Sequence, residues 1–131
     1  MGLLIDTDVL VGLERTGAED ALLGDEPVAI SVITVSELLN GVHRASDENR
    51  VARRAFVEHV LAGLPAIPIT DTVARVHTEV WATLAARGAT IGAHDLWIAA
   101  TALAHGLGVA TRNAAHYGRI PGLRVVAPAQ S

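Results

Sequence analysis

Cysteine and lysine are both missing from this chain of 131 residues. Without cysteine there is no disulfide framework, no thiolate zinc site and no thiol nucleophile. Without lysine there is no ammonium group for Schiff-base chemistry or a Walker-type phosphate loop. The ten basic residues are all arginine and face fourteen acidic ones, for a formal charge of −4. That balance argues against non-specific nucleic-acid binding, which draws on basic charge. Any chemistry on nucleic acid must therefore rely on a local site, a metal or a partner. Aromatic residues are scarce at 3% while half the chain is hydrophobic, so the core must be built from Ala, Val, Leu and Ile. No apolar run reaches the roughly 18 residues of a membrane span. The start, with Leu3-Leu4-Ile5-Asp6, lacks the basic and long apolar regions of a signal peptide. The expectation is a cytoplasmic protein with no membrane association.

The length fits one domain, residues 1–131, and no repeat or linker divides it. Leu3-Leu4-Ile5 reads as a buried strand ending at Asp6, followed by a short helix from Val9 to Glu14 that the Thr16-Gly17 break closes. Val28-Ala29-Ile30 reads as a second buried strand. Ser31 or Thr34 can then cap a helix carrying Glu37, Leu38, Leu39 and Val42. Ser46-Asp47-Glu48-Asn49 opens another helix, with Ala52, Phe56, Val60 and Leu64 on one face. Ala66-Ile67-Pro68-Ile69 is a short strand, placed by its proline near an edge or an end. Thr70 and Asp71 can cap an amphipathic helix bearing Val73, Val76, Val80, Trp81 and Leu84, with Gly88 as its stop. Asp95 opens a further helix with Leu96, Ala99, Ala100 and Leu103 on one face. Val109-Ala110 and Leu123–Val126 are the last strands. Short apolar strands alternating with helices predict an α/β fold with a mainly parallel sheet.

Ligands in such sheets bind beyond the carboxyl ends of the strands. Asp6 directly follows the first strand, Glu37 lies about two helical turns past the second, and Thr111, Arg112 and Asn113 follow the strand at Val109. Asp95 can lie near this edge or far from it depending on topology, and the usual right-handed crossover favours near. Each residue also has a plainer reading. Asp6 and Asp95 can cap helices, Asp8 can simply favour a helix dipole, and Glu37 can share a solvated face with Asn40 and Arg44. His94 reads as a loop residue, and Trp81 and Trp97 as core. Arg50, Arg53 and Arg54 read as a solvated face, with a grip on RNA phosphate as the alternative. Together the three carboxylates point to a cation, because like charges gathered at one edge repel unless neutralised. Magnesium accepts all-oxygen ligands and uses one or two carboxylates with water and phosphate. No His-x3-His pair suggests zinc.

The segments Leu4–Leu10, Thr34–Val42 and Gly92–Ala100, with Thr111-Arg112-Asn113 and His116-Tyr117, resemble the motifs of PIN domains in VapC-type toxins. The resemblance runs in the expected order from residue 3 to about residue 127. It implies a three-layer α/β/α sandwich and a Mg2+- or Mn2+-dependent endoribonuclease. It further implies a homodimer and a cognate antitoxin as partner. Asp6, Glu37 and Asp95 match the family's acidic residues. At the fourth acidic position this chain offers Asn113, or else His116, in place of an aspartate. On this reading Asp6, Asp95 and Glu37 form the metal site, with Glu37 also holding or orienting the attacking water. Thr7 and Thr111 hydrogen-bond the carboxylates or substrate, and Arg112 offsets phosphate charge. Two rivals remain open at this stage. One is a phosphatase of the haloacid-dehalogenase type using Asp6 and Asp8, which normally needs a lysine. The other is a non-catalytic α/β binding module.

Overall fold

The structure is a computed structural model that describes residues 2–16 and 25–128. Its described elements alternate as the sequence pattern predicts: β1 (Leu3–Ile5), α1 (Thr7–Thr16), β2 (Val28–Ser31), α2 (Val32–Arg44), α3 (Asp47–Gly63), β3 (Ala66–Ile67), α4 (Asp71–Ala86), α5 (Ala93–Ala104), β4 (Gly108–Ala110), α6 (Ala114–Tyr117) and β5 (Val125–Val126). The strand order is β3-β2-β1-β4-β5, and every pairing is parallel. The buried strand β1 is therefore central, with β3 and β5 at the edges.

Strand alternation splits the core into two layers. Leu4 and Val109 point into one, where they meet Val80 and Leu84 of α4, Leu96, Ile98, Ala99 and Ala102 of α5, and Tyr117. Ile5 and Ile30 point into the other, with Val9, Leu10 and Leu13 of α1, Leu38 and Val42 of α2, and Val57 and Val60 of α3. This is the α/β/α sandwich expected from the sequence. No described helix is long and apolar enough to cross a membrane.

Local chemistry explains the boundaries. Ser31 caps α2 through its hydroxyl, which accepts the Ile33 N–H at 3.0 Å, while Thr34 is buried inside the helix. Thr70 caps α4 by accepting the Val73 N–H at 3.3 Å. α4 ends at Gly88 with φ +65, where the Gly88 and Ala89 amides return to Ala85 and Leu84. α5 ends the same way at Gly106, and the turn delivers the chain straight into β4.

Several expectations are corrected. α1 begins two residues earlier than Val9, and its close at Gly17 lies outside the described residues. On α3 Val60 is buried and Phe56 and Leu64 pack against the core as expected, but Ala52 at the start of the helix is exposed and Val57 joins the buried face. The strand predicted from Leu123 is shorter, Val125–Val126, and the one at Ala66 stops at Ile67 before Pro68. Trp81 is not core: it is 60% exposed, on the outer edge of the α4 stripe. Asp95 does not cap α5, because Gly92 takes that position and Asp95 sits three residues inside. His94 is helical rather than in a loop.

Candidate active site

The carboxyl ends of β1, β2 and β4 meet at one cleft of about 590 Å³, lined by Asp6, Thr7, Asp8, Glu37, Asp95, Arg112 and Asn113 among others. Its central residue is Asp6. The Asp6 amide joins the sheet through Ala110 O, and its side chain is 5% exposed. Both carboxylate oxygens are held. Oδ1 accepts the Thr7 N–H at 2.9 Å, so the capping reading is met in part, and Oδ2 accepts the Thr111 hydroxyl at 2.8 Å. Thr111 Oγ1 in turn accepts the Asn113 N–H at 2.9 Å, which fixes the turn after β4. Burial pushes Asp6 up to about 6. The nearby Asp8 and Asp95 charges add to the rise, and the Thr111 and Thr7 hydrogen bonds oppose it.

Glu37 reaches the cleft from α2. A carboxylate only accepts, so Thr7 Oγ1 donates to Glu37 Oε1 at 2.7 Å and takes its 3.0 Å contact with Thr34 Oγ1 as acceptor. Oε2 lies 3.4 Å from His94 Nδ1. Glu37 is thus held at the cleft by Thr7, and although it shares a face with Asn40 and Arg44, among the described residues it makes no ion pair with Arg44. A polar cavity of about 510 Å³ adjoins the cleft across Thr7 and Glu37, with Ser36, Asn40, Arg44 and His94 on its walls. Asp95 enters from the first turn of α5, where a carboxylate also suits the helix dipole.

The last segment places its residues at the rim. Asn113 Nδ2 is 2.7 Å from His116 Nδ1; the amide donates, so the ring nitrogen accepts. His116 Nδ1 is also 4.0 Å from Asp95 Oδ2. Arg112 is exposed and its guanidinium lies against Gly12 of α1, so close that a Cβ there would meet it at 2.5 Å. Arg50 and Arg53 do not serve this site. Arg50 ties the end of α2 to α3 through Ala45 O and Asp47, and Arg53 pairs with Glu14 at 2.8 Å.

Asp8 sits in the first turn of α1, as the sequence predicts, and it also faces the site. Asp8 lines the cleft, and its Oδ1 accepts the Arg112 N–H at 3.3 Å. Burial raises its pKa, against the pull of Arg112. The cleft therefore holds a fourth carboxylate, supplied from the first helical turn after Asp6 and hydrogen-bonded to the residue before Asn113. The spacing Asp-x-Asp across the first helical turn was its only signal. Among the described residues, no three His, Asp or Glu side chains converge closely enough to hold a metal ion by themselves. The all-oxygen donor set fits a hard cation that takes one or two carboxylates and fills its other positions with water.

A parallel five-stranded sandwich with acidic side chains converging at the carboxyl edge of its central strand defines a class of protein, and the comparisons agree with it. The PIN domain pattern matches residues 3–121. The ribonuclease VapC1 of Rickettsia felis is 37% identical over 128 residues, 96% of each chain. The solved VapBC-5 complex of Mycobacterium tuberculosis contains a chain that is 31% identical with a TM-score of 0.79, over 96% of this chain and 97% of that one. A DNA-bound VapBC structure from Salmonella typhimurium contains a chain that is 25% identical with a TM-score of 0.86, over 97% of this chain and 98% of that one. The chain belongs to the PIN-domain family, among its VapC members. That membership does not favour the phosphatase or the non-catalytic reading.

Proposed function

We propose that this chain is the toxin of a toxin–antitoxin pair, an endoribonuclease that hydrolyses RNA phosphodiester bonds with Mg2+ or Mn2+. One observation carries the reading. Buried Asp6 is faced by two further carboxylates, Asp8 and Asp95, and among the described residues no cation pairs with it. VapC relatives that are named ribonucleases support the activity.

Asp6 and Asp95 would hold the cation, with Glu37 and Asp8 reaching it through water. When bound, the cation supplies charge neutralisation at the phosphate and a more acidic water. The remaining work belongs to the chain. Thr7 N–H and Thr111 Oγ1 hold both oxygens of Asp6, so the ligand is oriented before substrate arrives. Thr7 Oγ1 fixes Glu37, which orients the attacking water and takes its proton. Arg112, at the rim, offsets negative charge on the phosphate. Asn113 offers a neutral amide oxygen beside the carboxylates.

The same acidity gives an antitoxin its handle. VapBC structures are toxin–antitoxin complexes, and an antitoxin arginine entering the carboxylate cluster would compete with the cation. A homodimer and a cytoplasmic location belong to the same reading. The apolar groove between α4 and α5, where Trp81 stands exposed, is surface that a second copy can cover.

The test is cleavage of cellular RNA by the purified chain with Mg2+, with excess EDTA, and as Asp6→Asn and Asp95→Asn. Cleavage is expected only from the unmodified chain with metal, and co-expressed antitoxin should relieve growth arrest. Full cleavage in EDTA, or by Asp6→Asn, overturns the proposal.

A further inference from the structure

Beneath the carboxylates lies a hydroxyl that the proposed chemistry does not use. Tyr117 ends the short helix α6, and its ring is wholly buried in the layer formed by Leu4, Leu96, Ile98, Val109 and Ile120. The phenol oxygen is buried with it and makes no hydrogen bond. Buried polar atoms are hydrogen-bonded almost without exception, so an orphan of this kind needs a reason. Packing supplies none, because phenylalanine would fill the same space.

The surroundings supply one. Asp6 and Asp95 both act on the Tyr117 hydroxyl, and burial together with their charges raises its pKa. A phenol ordinarily keeps its proton at neutral pH. A protonated phenol beside ionised carboxylates serves as a donor. The two carboxylates are unequally provided for. Asp6 has a donor on each oxygen, Thr7 N–H and Thr111 Oγ1. Among the described residues no hydrogen bond reaches the Asp95 carboxylate, and His116 Nδ1 stands 4.0 Å from its Oδ2. One donor without an acceptor faces one carboxylate without a donor.

We infer that Tyr117 is a positioning residue for the metal site: its hydroxyl donates to Asp95 when that carboxylate turns to ligate a divalent cation, and holds it there. The inference rests on the metal reading proposed above. It gives Asp95 from below what Thr111 gives Asp6 from the side. Partners of this kind fix ligand orientation, and their removal lowers metal affinity by about 10-fold to 100-fold.

The experiment is calorimetric titration of Mn2+ into the full chain, as wild type, Asp6→Asn and Tyr117→Phe, with thermal melts of each in EDTA. Wild type is expected to bind and Asp6→Asn to fail. Tyr117→Phe should bind about 10-fold or more weakly, while its metal-free melting temperature stays level or rises, since an unpaired buried hydroxyl has been removed. A purely structural hydroxyl would give the reverse, a lower metal-free melting temperature with unchanged affinity, and that result overturns the inference. So does a Tyr117→Phe protein indistinguishable from wild type in Mn2+ affinity. Wild type that takes up no Mn2+ overturns the metal reading itself, and this inference falls with it.

Discussion

Thr111 donates its hydroxyl proton to Asp6 Oδ2 at 2.8 Å, across 105 residues of sequence. The bond lowers the Asp6 pKa against the burial and like charges that raise it. Thr111→Val keeps the shape and removes the donor, so the Asp6 pKa should climb further. Because a metal ligand must be ionised, Mn2+ affinity measured against pH should need a higher pH in the variant, and at pH 7 it should be about 10-fold to 100-fold weaker. An unchanged pH profile would show that the hydroxyl does not tune Asp6.

Metal-free stability should run opposite to activity. Asp6 rises from 3.8 to about 6 on folding, so the folded chain binds more protons than the unfolded one between those values. Stability is then greatest below the unfolded value and falls as pH rises through the folded one, by on the order of 3 kcal/mol from this residue. The raised pKa of Asp8 acts in the same direction. In EDTA the melting temperature should drop between pH 4 and pH 7. Asp6→Asn should flatten most of that slope and be the more stable protein at pH 7, though inactive. A wild-type melting temperature that rises over this range would contradict the buried-carboxylate account.

On the proposed metal reading, Asn113 and Asp8 are the two candidates for a fourth ligand. Adding charge by Asn113→Asp should tighten Mn2+ binding, since cation affinity follows ligand charge. Asn113→Ala should lower cleavage less than Asp6→Asn or Asp95→Asn. Asp8→Asn should cost more than Asn113→Ala, because Asp8 brings charge to the cleft and also anchors the Arg112 backbone. If His116→Ala abolishes cleavage while neither Asn113 change has an effect, the fourth role belongs to His116.

Arg112 and Arg44 stand at different parts of the joined cavities. Each should contact RNA phosphate, so replacing either with alanine should weaken RNA binding in the non-cleaving Asp6→Asn background. The slope of log affinity against log salt should fall by about one for each. Arg54→Ala, on the exposed outer face of α3, serves as the control and should leave the slope alone.

The layers of this fold were legible because strand alternation and helix caps are local signals. Leu4 and Ile5 pack on opposite faces, Ser31 caps α2, and Gly88 stops α4, each decided by its own few neighbours. Asp6 was legible as a candidate because it follows a strand, Asp95 because it lies in the first turn of a helix, and Glu37 because it stands about two helical turns past a strand. What stayed hidden depended on partners far along the chain. Asp8 looks like an ordinary first-turn acid until Arg112 and Asp95 are beside it. Trp81 and Val57 show the limit of periodicity. Trp81 shares helical spacing with Val73, Val80 and Leu84 yet stands exposed, and Val57, at the margin of the face carrying Phe56, Val60 and Leu64, is nevertheless buried. The unpaired Tyr117 hydroxyl has no sequence signal at all, since a buried tyrosine and a buried phenylalanine occupy the same apolar position.

The central place of β1 also sets the order in which danger can arise during synthesis. β1 is made first, yet it stays an open edge until β4, more than a hundred residues later, pairs alongside it. The Thr111 that steadies Asp6 and the Tyr117 beneath Asp95 lie just past that strand. A growing chain on the ribosome therefore carries Asp6 and Glu37 long before β4 can hold them in register, while Asp95 follows only just ahead of that strand. On the proposed function, RNA cleavage should wait until β4 and the turn after it have been translated.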